Sequence, residues 1–323
     1  MRNKKHKICA LAALLLLAAL LLPFAASCGG APADDGKITV VCTTFPLYDW
    51  TRNVVGESEN VAVELLVSSG TDLHSFQPSV ADVAKISSAE LLIHIGGTSD
   101  TWVQDAAEQS EDIKLLTLSE ADGITLLSLD GEEHHHAHGE DESDHVHGDF
   151  DEHIWLSLNN AIVCSENIAK AISELDKDNA EKYKANLDKY VESLTALHKE
   201  YTALPKGKAL LFADRFPFGY LMNDYDIGYF AAFTSCSADT DASFETVVDL
   251  AKTIDEQKLT CVLVTESSDK KLAKSIIAET QGRSAEILTL DSMQSVTAAD
   301  IGKGYTYLAA MESNLEVLKT ALN

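Results

Sequence analysis

The chain has 323 residues, with 25 Lys and Arg against 51 Asp and Glu, which gives a formal net charge of −26. Hydrophobic residues make up 46%, which is typical of a packed protein rather than a disordered one. The acidic balance excludes nucleic acid as the main partner, because phosphate binding requires clustered Lys and Arg. It favours a monomer that repels its neighbours and attracts cations.

The N-terminus has the pattern of an export signal. Bases lie within residues 2–7, an apolar run of 15 residues follows at 8–22, and small residues precede Cys28. The run is shorter than the roughly 20 residues of a membrane-spanning helix, so 1–27 is predicted to be a signal peptide. The small residues before Cys28 resemble a bacterial lipoprotein cleavage box. That resemblance implies lipidation of Cys28, a tether over 28–36, and anchoring at the bacterial cell surface or the periplasmic side of a membrane.

Four cysteines remain after the signal and Cys28 are set aside: Cys42, Cys164, Cys236 and Cys261. An exported protein with four cysteines either forms disulfides or buries its thiols, and the spacing leaves both alternatives open. Cys236 and Cys261 are the favoured pair because they lie in the same half of the chain.

Short apolar runs alternate with helical patterns in the first half. Strands are predicted at 37–43, 61–67, 90–95 and 113–118, and helices near 46–56, 79–88 and 99–110. Strand–helix alternation predicts a parallel sheet covered by helices. The first lobe is therefore expected over 37–177.

A histidine-rich, acidic segment follows at 131–149. Residues 130–152 hold ten acids and no Lys or Arg. The histidines of this segment are His134, His135, His136, His138, His145 and His147. The segment cannot bury a core, so it is predicted to be a loop. Imidazole and carboxylate ligands suit zinc, which indicates an accessory metal collector or sensor, the alternative being a solvated loop with incidental histidines.

A long helical stripe over 178–204 is predicted to link this lobe to a second one at 205–323. The second half repeats the alternation, with strands at 208–213, 228–233, 260–265 and 285–290 and helices near 215–224, 243–257, 268–281 and 305–321. The expected fold class is α/β, with two similar lobes of parallel sheet flanked by helices. One backbone helix bridges the lobes, and a ligand site lies in the cleft between them.

Candidate ligands lie at the strand ends, where open α/β sheets bind their ligands. His74 follows the second predicted strand, and His153 follows the histidine-rich loop. Three carboxylates follow strands of the second half: Asp214, Glu266 and Asp291. Two histidines facing two carboxylates make a suitable tetrahedral zinc site.

Three motifs carry a family resemblance: G-x-D-x-H-S-F-x-P at 70–78, D-E-H-I-W-L at 151–156 and L-D-S-M at 290–293. Together they resemble the metal-binding solute-binding proteins of zinc and manganese ABC importers. The resemblance implies one transition-metal ion between the lobes. His74 and His153 match the first two histidine ligands, and Asp291 matches the C-terminal aspartate. The histidine-rich loop resembles the zinc-specific branch.

The third ligand departs from the family pattern H-x-x-F-x-Y. The register through Phe218 and Tyr220 places Arg215 at the ligand position, and Arg cannot bind a cation. Asp214 is expected to replace it, the alternatives being water, Glu266 or a histidine of the loop.

The expected function is extracytoplasmic, high-affinity binding of Zn²⁺, with Mn²⁺ less favoured, and delivery to a membrane ABC permease. A manganese importer component or an adhesin of the same family is the alternative. A secreted zinc hydrolase is the rival class, but the chain has no H-E-x-x-H motif and draws its candidate ligands from both halves, which favours capture over catalysis.

Overall fold

A four-stranded parallel sheet forms the first half, in the order β2-β1-β3-β4. Its strands are β1 (Ile38–Cys42), β2 (Val61–Leu65), β3 (Leu91–His94) and β4 (Lys114–Thr117). Its helices are α1 (Phe45–Val55), α2 (Val80–Ser87) and α3 (Trp102–Ala107). Ser79 and Asp82 form a capping box at the start of α2, as the sequence predicts.

The computed structural model describes residues 36–68, 70–71, 73–108, 110, 113–128, 150–233 and 242–323, and the backbone of 133–135. The predicted signal peptide (1–27), residues 28–35 of the tether, and Cys236 lie outside these residues, as do most of the loop histidines. Within the described ranges no helix is both long and apolar enough to cross a bilayer.

An antiparallel hairpin of β5 (Thr125–Leu127) and β6 (Glu133–His135) carries the base of the histidine-rich loop. His134 and His135 lie on β6, opposite Leu126 and Thr125. The other loop histidines, His136, His138, His145 and His147, lie outside the described residues. The chain returns at Phe150, which bridges to Ser128.

Two antiparallel helices follow. The first, α4 (Leu158–Leu175), begins at Ser157, whose side chain accepts from the backbone of Asn160. No helix is predicted here from the sequence, although Leu158, Ile168 and Ile172 form an apolar stripe on its buried face; that face also includes the small residues Ala161, Cys164 and Ser165. Their size lets the neighbouring helix approach closely.

The predicted linking helix is α5 (Ala180–Thr202), whose 23 residues extend about 35 Å. Its N-terminal half contacts the first half of the chain, where the Asn186 side chain donates to the carbonyl of Val54 in α1. Its C-terminal half contacts the last helix, where the Tyr201 hydroxyl donates to the carbonyl of Met311. The helix therefore packs against both halves.

The second sheet has the order β10-β9-β7-β8, again all parallel. Its strands are β7 (Ala209–Phe212), β8 (Gly228–Ala231), β9 (Cys261–Thr265) and β10 (Glu286–Leu290). Its helices are α6 (Gly219–Asp224), α7 (Phe244–Gln257), α8 (Lys271–Glu279), α9 (Ala298–Gly302) and α10 (Tyr307–Ala321). Counted within its own half, each sheet has the strand order 2-1-3-4. The two halves therefore share one topology, which confirms the predicted fold class.

Both sheets contribute to one central core. Alternate strand residues face inward, including Val40 of β1 and Leu210 of β7, and pack with α1, α4, α5 and α10. The residues between them face outward into two smaller cores, represented by Val41 in the first half and Leu211 in the second. The main core therefore runs continuously through both halves.

The described cysteines Cys42, Cys164 and Cys261 are buried free thiols. Burial raises the pKa of each, to about 12 for Cys42 and about 11 for Cys261. These thiols therefore stay protonated at neutral pH and are unreactive.

A buried carboxylate joins α1 to the last helix. Asp49 is 7% exposed and accepts from the backbone N–H of Tyr307, at the start of α10, at 3.1 Å. Burial is the largest influence on Asp49, and it raises the pKa to about 6 despite that hydrogen bond, the Arg52 charge and a hydrogen bond from Asn53. An ionised Asp49 therefore costs stability.

Asp49→Asn should change how stability depends on pH. Because the folded-state pKa of Asp49 is raised from 3.8 to about 6, its contribution to stability is complete below pH 3.8 and is lost as the pH rises through about 6. The stability of the variant relative to wild type should therefore rise between pH 4 and 8, by up to about 3 kcal/mol. Urea unfolding at the two pH values measures this difference. Asp188→Asn, at an exposed position, is the control, and its free energy of unfolding should differ from that of wild type by less than about 0.5 kcal/mol at both pH values. If the difference between Asp49→Asn and wild type is the same at both pH values, the expectation is wrong.

Candidate metal centre

His74 follows β2 in a short turn, Leu73–Ser75, which the buried Leu73 holds in place. The side chain of His74 is 19% exposed. Its Nδ1 lies 2.7 Å from the Ser99 hydroxyl and 3.0 Å from Oε1 of Glu152. Ser99 in turn donates its hydroxyl proton to Glu152. The Nδ1–H of His74 is therefore the donor to both oxygens.

His153 is held more tightly, since its side chain is only 6% exposed. Its Nδ1 lies 2.6 Å from Oδ1 of Asp151, which also accepts from the backbone N–H of His153 at 3.0 Å. The next turn, Ile154–Leu156, is fully buried, and the Trp155 ring lies 5.2 Å from the imidazole. Packing and the carboxylate therefore fix this ring in one orientation.

The two imidazoles present the same atom to each other. The Nε2 atoms of His74 and His153 are 3.3 Å apart. An ionised carboxylate only accepts, so each ring carries its proton on Nδ1, and each Nε2 presents a lone pair. A cation shared by the two nitrogens, either a proton or a metal ion, removes the repulsion between two lone pairs at this distance. Two ligands of a tetrahedral zinc ion, each about 2.0–2.1 Å from the metal, would lie about 3.3–3.4 Å apart.

Glu152 stays ionised in this setting. Burial alone would raise its pKa, but hydrogen bonds from His74 and from the side chain and backbone of Ser99 outweigh burial and lower the pKa to about 2. The carboxylate therefore remains an acceptor for the His74 Nδ1–H across the physiological pH range. Carboxylate–histidine pairs of this kind orient metal ligands and raise their basicity.

Asp291 follows β10 and is fixed by its neighbours. Its backbone exchanges two 2.8 Å hydrogen bonds with the Asn314 side chain. Its carboxylate accepts from the Tyr305 hydroxyl at 2.5 Å and from the backbone of Met293 at 2.8 Å. Burial first and the charge of Glu266 second raise the pKa of Asp291. A nearby cation would relieve both penalties.

Two other predicted carboxylates hold loops. Glu266 accepts from the Ser292 backbone and hydroxyl and from the Ser295 hydroxyl, all at 2.9–3.0 Å, so it fastens the loop after Asp291. Asp214 accepts from the Thr265 hydroxyl at 3.0 Å and from the backbone of Arg215 at 2.8 Å. Each carboxylate thus joins neighbouring strand ends of the second sheet.

The turn after His153 touches the loop that carries Asp291. The Trp155 indole N–H donates to the carbonyl of Ser292 at 2.9 Å, and a small pocket between the two segments is lined by Leu73, Trp155 and Met293. In the described part of the chain, however, no three His, Cys, Asp or Glu side chains converge as a metal cluster. The structure therefore pairs His74 with His153, and the assignment of Asp214, Asp291 and Glu266 as ligands stays a prediction.

The residues that support the two histidines are not evident from the sequence. Asp151 and Glu152 lie inside the D-E-H motif, but adjacency alone does not reveal that one orients His153 and the other His74. Ser99 has no recognisable signal, because its role depends on where β3 ends relative to β2.

The fold and the histidine pair define a class of α/β proteins with two equivalent sheets, a bridging helix and a candidate metal site at the strand ends. The sequence matches the family ZnuA, zinc-uptake complex component A, periplasmic, over residues 40–321. The chain belongs to this family, whose members are solute-binding proteins rather than enzymes. The resemblance to the solute-binding proteins of metal importers is thereby confirmed.

Curated relatives and solved structures agree with this assignment. The zinc-binding lipoprotein AdcA of Streptococcus pneumoniae is 33% identical over 307 residues, which cover 94% of this chain and 60% of that protein. The chain thus spans well under two thirds of the length of that relative. The high-affinity zinc uptake system protein ZnuA of Bacillus subtilis is 29% identical over 296 residues, which cover 91% of this chain and 90% of that protein. The Zn(II)-bound ZnuA-like domain of S. pneumoniae AdcA superposes with a TM-score of 0.70 at 26% identity, covering 89% of this chain and 99% of that domain.

The tautomers of the two histidines can be measured directly. In metal-free protein at pH 8, the imidazole ¹⁵N shifts of His74 and His153 should show a protonated Nδ1 and an unprotonated Nε2. Glu152→Gln should disturb the shifts of His74 more than those of His153, and Asp151→Asn should do the reverse. The surface residue Asp188 supplies the control through Asp188→Asn, which should move neither set. A protonated Nε2 on both rings in the wild type would contradict the arrangement.

Proposed function

We propose that the protein binds Zn²⁺ with high affinity outside the cytoplasm and delivers it to an ABC permease. The observation that carries this proposal is the pair of Nε2 atoms of His74 and His153, 3.3 Å apart with their lone pairs facing. Two imidazole nitrogens placed in this way suit the binding of a metal ion.

The proposed ligands are His74, His153, Asp214 and Asp291. The hydrogen bonds of the two remaining carboxylates support Asp214 over Glu266. Each oxygen of Glu266 lies within hydrogen-bond distance of two donors, one of them the Ser292 hydroxyl, whose single proton the two oxygens share. Oδ1 of Asp214 accepts only from the Arg215 backbone among the hydrogen bonds found between described residues. Asp214 therefore retains more capacity to bind a metal.

Zinc is favoured over manganese as the cargo. The Nε2–Nε2 distance agrees with tetrahedral geometry at zinc–nitrogen bond lengths. Two histidines and two carboxylates suit either metal, and the histidine-rich loop favours zinc. The relatives described above are named for zinc binding or zinc uptake. Manganese prefers more oxygen ligands and higher coordination.

The remaining features fit a surface-held collector. The six loop histidines, from His134 to His147, are proposed as weak accessory metal sites, and the strongly acidic loop raises the local cation concentration. The loop rejoins the described chain at Phe150, three residues before His153. Lipidation of Cys28 would hold the protein, as a monomer, on the outer side of the membrane next to the permease.

Metal stoichiometry tests the division between main and accessory sites. Untagged protein should bind one Zn²⁺ tightly and several weakly. Deletion of 132–148 should abolish only the weak sites, whereas His153→Ala should lose about 10²-fold or more in the tight affinity and keep the weak sites. Chelator competition and metal analysis give both values. If the wild type binds no tight zinc, the proposed function is wrong.

The third ligand is tested at Asp214. Asp214→Ala should weaken zinc binding by about 10²-fold, because the site loses a charged donor. Asp214→His should recover most of the affinity, since imidazole can replace the carboxylate as a ligand but cannot reproduce its acceptor role toward Thr265. An unchanged affinity in Asp214→Ala would exclude this residue as a ligand.

A further inference from the structure

The tripeptide Asp151–Glu152–His153 supplies one candidate ligand and the carboxylates that orient both imidazoles. Each carboxylate packs against a glycine from another part of the chain. Gly97 follows β3, and Gly219 is the first residue of α6 in the second half. These contacts assign a role to two residues that bear no functional group.

Gly219 leaves room for the carboxylate of Asp151. A Cβ on Gly219 would lie 2.7 Å from Oδ2 of Asp151, closer than non-bonded atoms approach. The backbone of Gly219 does not have a positive φ, so other residues could adopt its conformation. The glycine is therefore required for space and not for backbone geometry.

The neighbour of Gly219 fastens the same segment. The Tyr220 hydroxyl donates to the carbonyl of Asp151 at 2.7 Å and accepts from the backbone of Leu127 at 3.1 Å. The start of α6 is thus anchored beside Asp151, and Asp151 cannot simply move away as a unit. An added methyl group at Gly219 would instead turn the carboxylate, whose Oδ1 binds His153.

Gly97 leaves room for the side chain of Glu152 in the same way. Its φ of −85° is ordinary for any residue, yet a Cβ there would lie 2.7 Å from the Cβ of Glu152 and still closer to its Oε2. Because the clash includes the Cβ of Glu152, the backbone would have to shift as well as the carboxylate. The cost of a side chain at Gly97 should therefore be larger than at Gly219.

We propose that Gly97 and Gly219 are positioning residues for metal binding, which set the orientation of His74 and His153 by leaving space for Glu152 and Asp151. The effect on zinc affinity rests on the proposed function; the effect on the imidazoles does not. Since Gly219 belongs to the second half and His153 to the first, movement of α6 relative to Asp151 changes the metal site without any contact with the metal.

Gly219→Ala is the direct test, with Gly302→Ala as the matched control, because a Cβ on Gly302 would meet no atom within 4 Å. The ¹⁵N shifts of His153 in metal-free Gly219→Ala protein should move away from the Nδ1-protonated tautomer, while those of His74 stay unchanged. Zinc affinity, measured by chelator competition, should fall about 10- to 100-fold with little change in the unfolding midpoint. The control should match wild type in all three measurements.

Gly97→Ala should shift the spectrum of His74 instead and lower the unfolding midpoint. If the ¹⁵N shifts of His153 are unchanged in Gly219→Ala, the proposal is wrong. This holds even if zinc affinity falls, because the loss of affinity would then have another cause. If wild-type protein does not bind zinc tightly, the proposed function is wrong. The ¹⁵N shifts of His153 in Gly219→Ala still show whether Gly219 orients His153.

Discussion

Two imidazole lone pairs held face to face define the candidate metal site. The Nε2 atoms of His74 and His153 are 3.3 Å apart, and the carboxylates on their Nδ1 atoms keep the protons on the far side of each ring. Without a cation the two lone pairs repel each other, so the surrounding packing has to stabilise the two imidazoles in this arrangement. With a zinc ion the same geometry matches tetrahedral coordination and requires little reorganisation.

Residues from both halves of the chain form the packing around the two imidazoles. Trp155, two residues after His153, donates to Ser292, and the Tyr307 hydroxyl donates to the carbonyl of Trp155 at 2.6 Å. Tyr305, two residues before Tyr307, donates to Asp291. The segment from Tyr305 to Tyr307, at the start of α10, therefore contacts both the turn that follows His153 and the loop that carries Asp291.

The continuous core limits how such a protein can release its cargo. A hinge that opens two separate lobes would expose core residues shared by both sheets, such as Val40 and Leu210. Shifts of the loops at the strand ends disturb less buried surface. Asp214 and Glu266 hold these loops through hydroxyl and backbone donors, and α6 holds Asp151 through Tyr220. The candidate ligands Asp214 and Asp291 lie on such strand-end loops, whereas packing holds His153 in place.

The sequence by itself determined the alternation of strands and helices, the bridging helix and the identity of the two histidines. Those features depend on local periodicity and on short motifs. The strand order that the two halves share was established by the tertiary structure. The helix α4 (Leu158–Leu175) is absent from the sequence-based prediction, although its apolar residues recur at helical spacing.

Only the tertiary structure decided which carboxylate serves which histidine. Glu152 is adjacent to His153 in the chain but pairs with His74, whereas the carboxylate of Asp151 contacts the ring of His153, two positions later. Gly97 and Gly219 become significant through clashes that a side chain would make with residues 55 and 68 positions away. Such relations depend on distances between distant segments, which a pattern of residue types does not encode.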